Sequence, residues 1–333
     1  MTGLEQRLRQ RFKRGFNHSF KRSVSVFEEN ESKQNLDHPF EIVGDENTKR
    51  RITKMINQIV ESETGRQTLE IAGKAGYKLG MEFAFGCNGG CNKENKKIVL
   101  NPVSKDDVLV GVLIHECRHA GQFERGEYDA SDDRRPRNET IKTNVMRTRA
   151  VEADAQATAV QALGEMMEKG NEEPLFAFCR QPDNRAIGTA FERALRDENA
   201  LQNGQARTAA FLAWYENEPV KKAYDEAYQV EMMKRREERG NNKTDTYAVS
   251  QSAAKIVKDL CLNNDGGCYF TADPKVLESG HYVAVNKESA QKIGALIARA
   301  PAAKKCPENA PPFRTEQNFK QKFVFSAFTR RGR

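Results

Sequence analysis

Residues 108–119 read Val-Leu-Val-Gly-Val-Leu-Ile-His-Glu-Cys-Arg-His, and this stretch decides how the rest of the sequence is interpreted. The apolar run that leads into His115 and His119 predicts a buried helix. Side chains four positions apart lie on the same face of a helix, so the two imidazoles can reach one metal ion together. Glu116 is displaced by one position and can sit beside that metal without binding it.

This spacing is the HExxH motif, in which two histidines hold zinc and the glutamate works as general base. The chain has only five histidines, and two of them fall at this spacing with a glutamate in place. At this composition, chance gives such a match in roughly one chain in a hundred. A catalytic zinc usually takes three protein ligands and keeps one position for water. A third ligand is therefore expected elsewhere in the chain.

A second long helix is predicted over residues 143–165, because the sequence has almost no helix breaker before Gly164. Alanines make this helix thin on several sides, and thin helices can approach a neighbour closely. These alanines are Ala150, Ala153, Ala155, Ala157, Ala159 and Ala162. The helix could therefore carry a ligand to the HExxH helix.

Glu152 and Asp154 are the candidate third ligands on that helix. They are about 200° apart around the helix axis, so both cannot face one metal. We favour Glu152, because its longer side chain reaches further. Asp154 is then a capping or salt-bridging residue or a support for a ligand, with Arg147 or Arg149 as the expected partner.

Two stretches carry a resemblance to a known family: Leu113-Ile-His-Glu-Cys-Arg-His-Ala-Gly-Gln122 and Arg149-Ala-Val-Glu-Ala-Asp-Ala-Gln-Ala157. Together they resemble the gluzincin branch of zinc metallopeptidases, and a poorly characterised bacterial family of proposed metallopeptidases. The resemblance covers about residues 70–170. It implies a zincin-like core in which His115, His119 and Glu152 (alternatively Asp154) hold Zn²⁺. No third histidine stands at the metzincin spacing and no clear Asn-Glu pair of the thermolysin kind is present, so the third ligand stays open.

Two short β-prone runs precede the HExxH helix, at residues 80–86 and 97–101. Between them, Cys87-Asn-Gly-Gly-Cys-Asn92 is a turn sequence, so we expect a hairpin that leads into the helix. This arrangement resembles that of zincin-like enzymes. In those enzymes a small sheet lies over the HExxH helix, and the edge strand of the sheet binds an extended peptide.

The expected fold class is α+β and mostly helical, since helical periodicity returns after residue 165. Helices are predicted at residues 50–78 (broken near Gly65), 184–202, 204–217, 219–240, 245–262 and 286–300. We divide the chain into a basic N-terminal segment and linker (1–45), a zincin-like core (46–170), a helical region packed on it (171–302) and a basic extended tail (303–333). No run of 18 apolar residues and no export signal is found in the sequence, which favours a cytoplasmic protein.

The seven cysteines form an odd count, which favours reduced thiols in a chain without an export signal. The pairs Cys87/Cys91 and Cys261/Cys268 flank glycine-rich turns and could close local disulfides in an oxidising compartment. A structural zinc held by these four is the alternative, although their spacing is not that of two zinc knuckles.

Positive charge is concentrated at the two ends of the chain. Residues 1–25 carry +6, residues 304–333 carry +6, and the total is +7, so residues 26–303 carry 7 − 12 = −5. A basic stripe on the folded body is the expected mark of nucleic-acid binding, so no nucleic-acid partner is expected.

The N-terminal and C-terminal segments could each be a targeting signal or a binding segment. An apolar stripe recurs every four residues near the N-terminus, at Leu4, Leu8, Phe12, Phe16 and Phe20. It could lie on a membrane surface or resemble a transit peptide, or it could be a solvated end or a helix docked on the body. Arg330-Arg-Gly-Arg333 looks similar to the Arg-rich C-terminal signals of type IV secretion effectors, which would make this a bacterial protein delivered to another cell. The alternative is that both ends are solvated tails on an ordinary cytoplasmic enzyme.

The expected reaction is hydrolysis of a protein or peptide substrate. Glu116 would take the proton of a zinc-polarised water and pass it to the leaving amine. His281 or Tyr282 could donate a hydrogen bond to the developing oxyanion, although His281 could equally be an exposed loop histidine. The alternative is a non-catalytic helical interaction or effector protein with a degenerate metallopeptidase fold, in which the two histidines hold no metal.

Overall fold

The computed structural model describes residues 3–4, 6–10, 40–83, 86–127, 139–226, 250–263, 266–292 and 324–325. Over these ranges the chain is mostly helical with one small mixed sheet, which confirms the α+β class. The strands are β1 (Ile42–Val43), β2 (Lys78–Met81), β3 (Gly89–Asn92), β4 (Lys97–Leu100) and β5 (Val324–Phe325). The helices are α1 (Glu46–Ile59), α2 (Glu63–Lys74), α3 (Asp106–Glu124), α4 (Ile141–Glu168), α5 (Glu173–Arg180), α6 (Arg185–Ala194), α7 (Gln205–Trp214), α8 (Glu218–Tyr224), α9 (Ala253–Leu260) and α10 (Gly280–Val283).

The strands of the sheet are arranged in the order β1-β2-β4-β3-β5. Strands β1, β2 and β4 run parallel, whereas β3 runs antiparallel to both β4 and β5. The hairpin that leads into α3 is therefore β3–β4. It turns at Asn92, whose side-chain oxygen accepts hydrogen bonds from the backbone amides of Glu94 (2.9 Å) and Asn95 (3.1 Å).

The predicted hairpin had the right position but the wrong strands. The first β-prone run contributes β2, which pairs parallel with β4, and the Gly-rich stretch interpreted as a turn is itself the buried strand β3. Glycine weakens isolated strands, so propensity argued against β3. Close packing against α3 overrides that preference: a Cβ at Gly89 would lie 2.5 Å from Cγ1 of Val112.

Helices α3 and α4 pack against each other at the centre of the molecule. Helix α3 is buried without interruption from Leu109 to Phe123, and the aspartates of its first turn, Asp106 and Asp107, complement the helix dipole. The six alanines of α4 are fully buried, as close approach of the two helices requires. One buried hydrophobic cluster includes residues from both 46–170 and 171–302.

Several helix boundaries differ from the sequence prediction. The helix predicted at residues 50–78 with a break near Gly65 is interrupted at residues 60–62, because the Ser62 side chain accepts a hydrogen bond from the Gly65 amide (2.7 Å) and starts α2 anew. Helix α6 already ends at Ala194. The predicted segments 227–249 and 293–300 lie outside the described residues.

The N-terminal stripe docks on the body where the structure describes it. Leu4 and Leu8 are buried in the core, and the Arg9 guanidinium stacks 4.8 Å over the ring of Phe176. Arg7 pairs with Glu192 at 3.3 Å. These contacts favour the docked helix over a membrane-bound one. Phe12, Phe16, Phe20 and the C-terminal arginines lie outside the described residues. No described helix is long and apolar enough to span a membrane.

Candidate metal centre

Helices α3 and α4 bring three metal-ligating side chains together in the core. Nε2 of His115 and Nε2 of His119 are 2.8 Å apart. Oε2 of Glu152 lies 3.6 Å from the first nitrogen and 3.4 Å from the second. All three residues are buried, and among the described residues they form the group that could hold a metal ion.

This arrangement fits a zinc ion in both donor type and spacing. Zinc bonds of about 2.0–2.1 Å in a tetrahedral site place ligand atoms about 3.3–3.4 Å apart. The two distances from Glu152 are close to that value, and the imidazole pair is somewhat closer. Two histidines with one glutamate are also a donor set that occurs in catalytic zinc sites.

Gln122 sets the orientation of His119. Its side-chain oxygen lies 2.7 Å from Nδ1 of His119, and an amide oxygen can only accept, so Nδ1 carries the proton. The amide nitrogen of Gln122 donates to the carbonyl of Val151 (3.0 Å) and to Asp154 (2.8 Å). Nε2 of His119 is thus the nitrogen that faces the other two ligands, as metal-bound histidines require.

Asp154 is the centre of a separate buried network behind the metal group. Arg118 binds its carboxylate through two hydrogen bonds, of 2.6 and 3.0 Å, and the Tyr269 hydroxyl donates a third at 2.8 Å. Nη2 of Arg207 lies 3.7 Å from the same carboxylate. The arginines hold the pKa of Asp154 below its usual value although burial opposes this. Asp154 thus supports Gln122, and through it His119.

The expected partners of Asp154 are wrong. Arg149 binds both oxygens of Asp225, at 2.6 and 3.0 Å, and Arg147 pairs with Glu127 and, at 3.7 Å, Glu139. Asp154 is five positions from Arg149 and seven from Arg147, so neither arginine is its three- or four-residue neighbour on the surface of α4.

Tyr224 is a site residue that sequence reasoning missed. It is buried at the end of α8, and its side chain hydrogen-bonds Glu152, which helps to lower the pKa of that carboxyl. Arg149 anchors the adjoining Asp225 and so holds this end of α8 against α4. Its ring also packs beside that of Trp214, with the two centroids 5.8 Å apart.

The pKa values of the two histidines shift in opposite directions. Burial, together with the positive charge of His119, lowers the pKa of His115 to about 3. Burial also disfavours a charged His119, but the carboxylates of Glu152 and Glu116 and the bond to Gln122 outweigh it and raise the pKa of His119. Burial opposes ionisation of Glu152 as well, yet both histidines and Tyr224 lower its pKa. Of the two histidines, His119 therefore holds a proton more readily than His115.

Glu116 lies on the face of α3 that meets the sheet. It is buried, and a Cβ at Gly89 of β3 would lie 3.5 Å from its Cγ. Its charge adds to burial in raising the pKa of the Cys91 and Cys117 thiols, so Cys117 is an inert packing residue. Glu116 is thus next to the ligands in sequence and next to β3 in space.

His281 and Tyr282 lie on α10, whose backbone is tied to α4. Arg149 donates hydrogen bonds to the carbonyls of Tyr282 and, at 2.8 Å, Ala284. The His281 ring is 42% exposed and pairs with Glu216 at 3.2 Å. The Tyr282 ring packs on that of Tyr215, with centroids 4.8 Å apart. A role for either residue as oxyanion donor stays a prediction.

The described cysteines are free thiols. Cys87, Cys91, Cys117, Cys179 and Cys261 are buried, and Cys268 is exposed. In the part of the chain that the structure describes, the four cysteines at 87, 91, 261 and 268 form neither the two disulfides nor a zinc cluster.

A mostly helical α+β fold with a buried His-His-Glu group thus defines a chain with a candidate mononuclear metal centre. The chain belongs to the family described as "Putative metallopeptidase family (DUF6782)", whose model matches residues 29–271. That match includes α3, α4 and all three candidate ligands. No curated protein and no solved structure matches the chain.

Proposed function

We propose that the protein is a zinc-dependent peptidase in which His115, His119 and Glu152 hold the metal and Glu116 is the general base. The observation that carries this proposal is the convergence of three buried ligand atoms, with His119 held in the metal-facing tautomer by Gln122. Membership of a metallopeptidase family supports the same conclusion.

The chemistry follows from the positions of the side chains. A bound zinc ion would supply Lewis acidity to a water molecule and to a peptide carbonyl. Glu116 is a carboxylate beside the ligands and can accept the proton of the attacking water. The same carboxyl can then deliver that proton to the leaving amine, so it ends the cycle ionised as it began. Such proton transfer contributes roughly 10²–10⁴-fold to the rate.

The Asp154 network holds these groups in place. Asp154 and Gln122 fix His119, and Tyr224 fixes Glu152. Such contacts hold the metal ligands in the right orientation. Their removal typically lowers metal affinity by about 10–100-fold. We propose Asp154 as a support for a ligand, and not as a ligand.

Metal analysis coupled to a proteome-wide cleavage screen tests the proposal. We expect one equivalent of tightly bound zinc in the purified full chain and its loss in His115→Ala. We also expect cleaved peptide bonds that disappear when zinc is chelated. Protein purified with no zinc, and unable to take it up, would contradict the zinc site. Bound zinc without cleavage of any protein would favour a non-catalytic interaction protein with a metal-stabilised core.

A further inference from the structure

We infer that the outer edge of β3 is a docking site for an extended peptide backbone beside the candidate metal centre, and that the chain's own C-terminal segment at Val324–Phe325 occupies it. The docking stands on backbone pairing alone. Only its consequence, competition with a substrate, rests on the proposed function.

The pairing of β5 with β3 is antiparallel, with Phe325 opposite Gly90 and Val324 opposite Cys91. The other edge of β3 is taken by β4, in the hairpin. Without β5, β3 would be the terminal strand on this side of the described sheet. A terminal strand offers a row of backbone donors and acceptors that another extended chain can pair with.

The position of β3 places this edge at the candidate site. Strand β3 packs against α3, and Gly89 approaches the helix so closely that a Cβ there would lie 2.5 Å from Val112 and 3.5 Å from Glu116. Gly90, the residue that pairs with Phe325, directly follows Gly89. A backbone docked on β3 therefore passes within one residue of Gly89, where an added Cβ would lie 3.5 Å from Cγ of the proposed general base.

Charge and reach both favour the C-terminal segment as the occupant. Residues 304–333 carry +6, whereas residues 26–303 carry −5, so the segment is attracted to the body. The 31 residues between Lys292 and Val324 could extend over about 100 Å, so tether length does not limit the docking. A tethered segment competes with free peptides at an effective concentration on the order of millimolar.

The consequence is autoinhibition: the docked C-terminal segment covers the edge of β3 and blocks its use by a substrate. We call this arrangement the cover. An extended substrate that pairs with β3 must first displace β5, because one edge can bind only one strand. The C-terminal segment then lowers hydrolysis of weakly binding peptides and leaves the metal group itself unchanged.

Hydrogen exchange in the full chain tests the docking without any need for activity. The test variant is Val324→Pro/Phe325→Pro, because proline cannot donate to a strand ladder. Thr329→Pro is the matched control, since it places proline in the same segment outside the β5 pair. All proteins are kept zinc-free, and exchange is measured by mass spectrometry on peptides that contain residues 89–92.

We expect these amides to exchange about tenfold faster in the double variant than in the wild type or the control. A synthetic peptide of residues 318–333, added to the double variant, should restore protection, and the same peptide with the two prolines should not. Equal exchange in all three proteins, or no effect of the peptide, would overturn the docking.

Hydrolysis by the zinc-loaded proteins tests the cover. We expect the double variant to cleave a quenched-fluorescence peptide library on the order of tenfold faster than the wild type and the control. Faster exchange with unchanged cleavage would overturn the cover. Faster exchange with no cleavage by any form would leave the docking supported and count against the proposed peptidase.

Discussion

Gln122 accepts a hydrogen bond from Nδ1 of His119 at 2.7 Å, and this contact decides which nitrogen of His119 faces Glu152. The orientation of the Gln122 amide is itself fixed, because its nitrogen donates to the Val151 carbonyl and to Asp154. The tautomer of a candidate metal ligand on α3 is thus set by groups on α4.

Replacing Gln122 with leucine should lower zinc affinity by about 10–100-fold, because His119 loses the partner that holds its tautomer and ring plane. Competition with a chromogenic chelator measures this. Gln161→Leu is the control: Gln161 is also buried, but it bonds Glu165 and the Leu201 carbonyl. Equal affinity in Gln122→Leu and the wild type would remove Gln122 from the site.

Glu152→Ala should abolish tight zinc binding, whereas Asp154→Ala should weaken it by only about 10–100-fold. The main effect of Asp154→Ala should be on stability. It should lower the free energy of unfolding by about 3–5 kcal/mol, because it leaves the buried Arg118 guanidinium without its carboxylate partner. Zinc titration and urea unfolding separate the two effects. Glu165→Ala, on the same helix, is the control for zinc binding. A zinc site emptied by Asp154→Ala and retained in Glu152→Ala would exchange the two roles.

Zinc binding at pH 5.5 should release roughly one proton per ion. The pKa of His115 is lowered to about 3, so His115 is already neutral, and Glu152 is already ionised. Only His119, whose pKa is raised, gives up a proton. Two unperturbed histidines would release nearly two protons at this pH. Calorimetry in buffers of different ionisation enthalpy counts the protons. Release should fall as the pH rises through the pKa of His119, and a count near two at pH 5.5 would contradict the assigned protonation.

Leu8→Ala should lower the free energy of unfolding by about 2–5 kcal/mol, because Leu8 is fully buried in the core. Val103→Ala is the control, since Val103 is 61% exposed and should change stability by less than about 0.5 kcal/mol. Urea unfolding of the full chain measures both. No loss of stability in Leu8→Ala would mean that the N-terminal helix is not docked on the body in solution.

Local patterns predicted the parts of the fold that depend on neighbours in sequence. The spacing of His115 and His119 requires only one helical turn, and the buried alanines of α4 follow from composition and period. The α+β class and the presence of β structure just before α3 could be predicted for the same reason, but the pairing of the strands could not. The choice of Glu152 over Asp154 used only helical phase and side-chain length. The structure brings Glu152 beside the two histidines, and its role as a ligand stays a prediction.

Contacts between residues that are far apart in sequence could not be predicted from local patterns. Arg118 and Asp154 are 36 positions apart, and Tyr224 reaches Glu152 from another helix. Strand β3 was mistaken for a turn because its two glycines have turn-like propensity, while its burial against Val112 is a tertiary effect. The C-terminal pairing on β3 depends on a backbone edge, which no side-chain pattern reports.

The rate of peptide cleavage by zinc-loaded Glu116→Gln, relative to the wild type at equal zinc content, tests the central claim most directly. The amide keeps the size of the Glu116 side chain but cannot accept the proton of the attacking water. We predict an unchanged zinc content with cleavage reduced by at least roughly 10²-fold. Cleavage by Glu116→Gln at the wild-type rate, with zinc bound, would contradict the proposed mechanism.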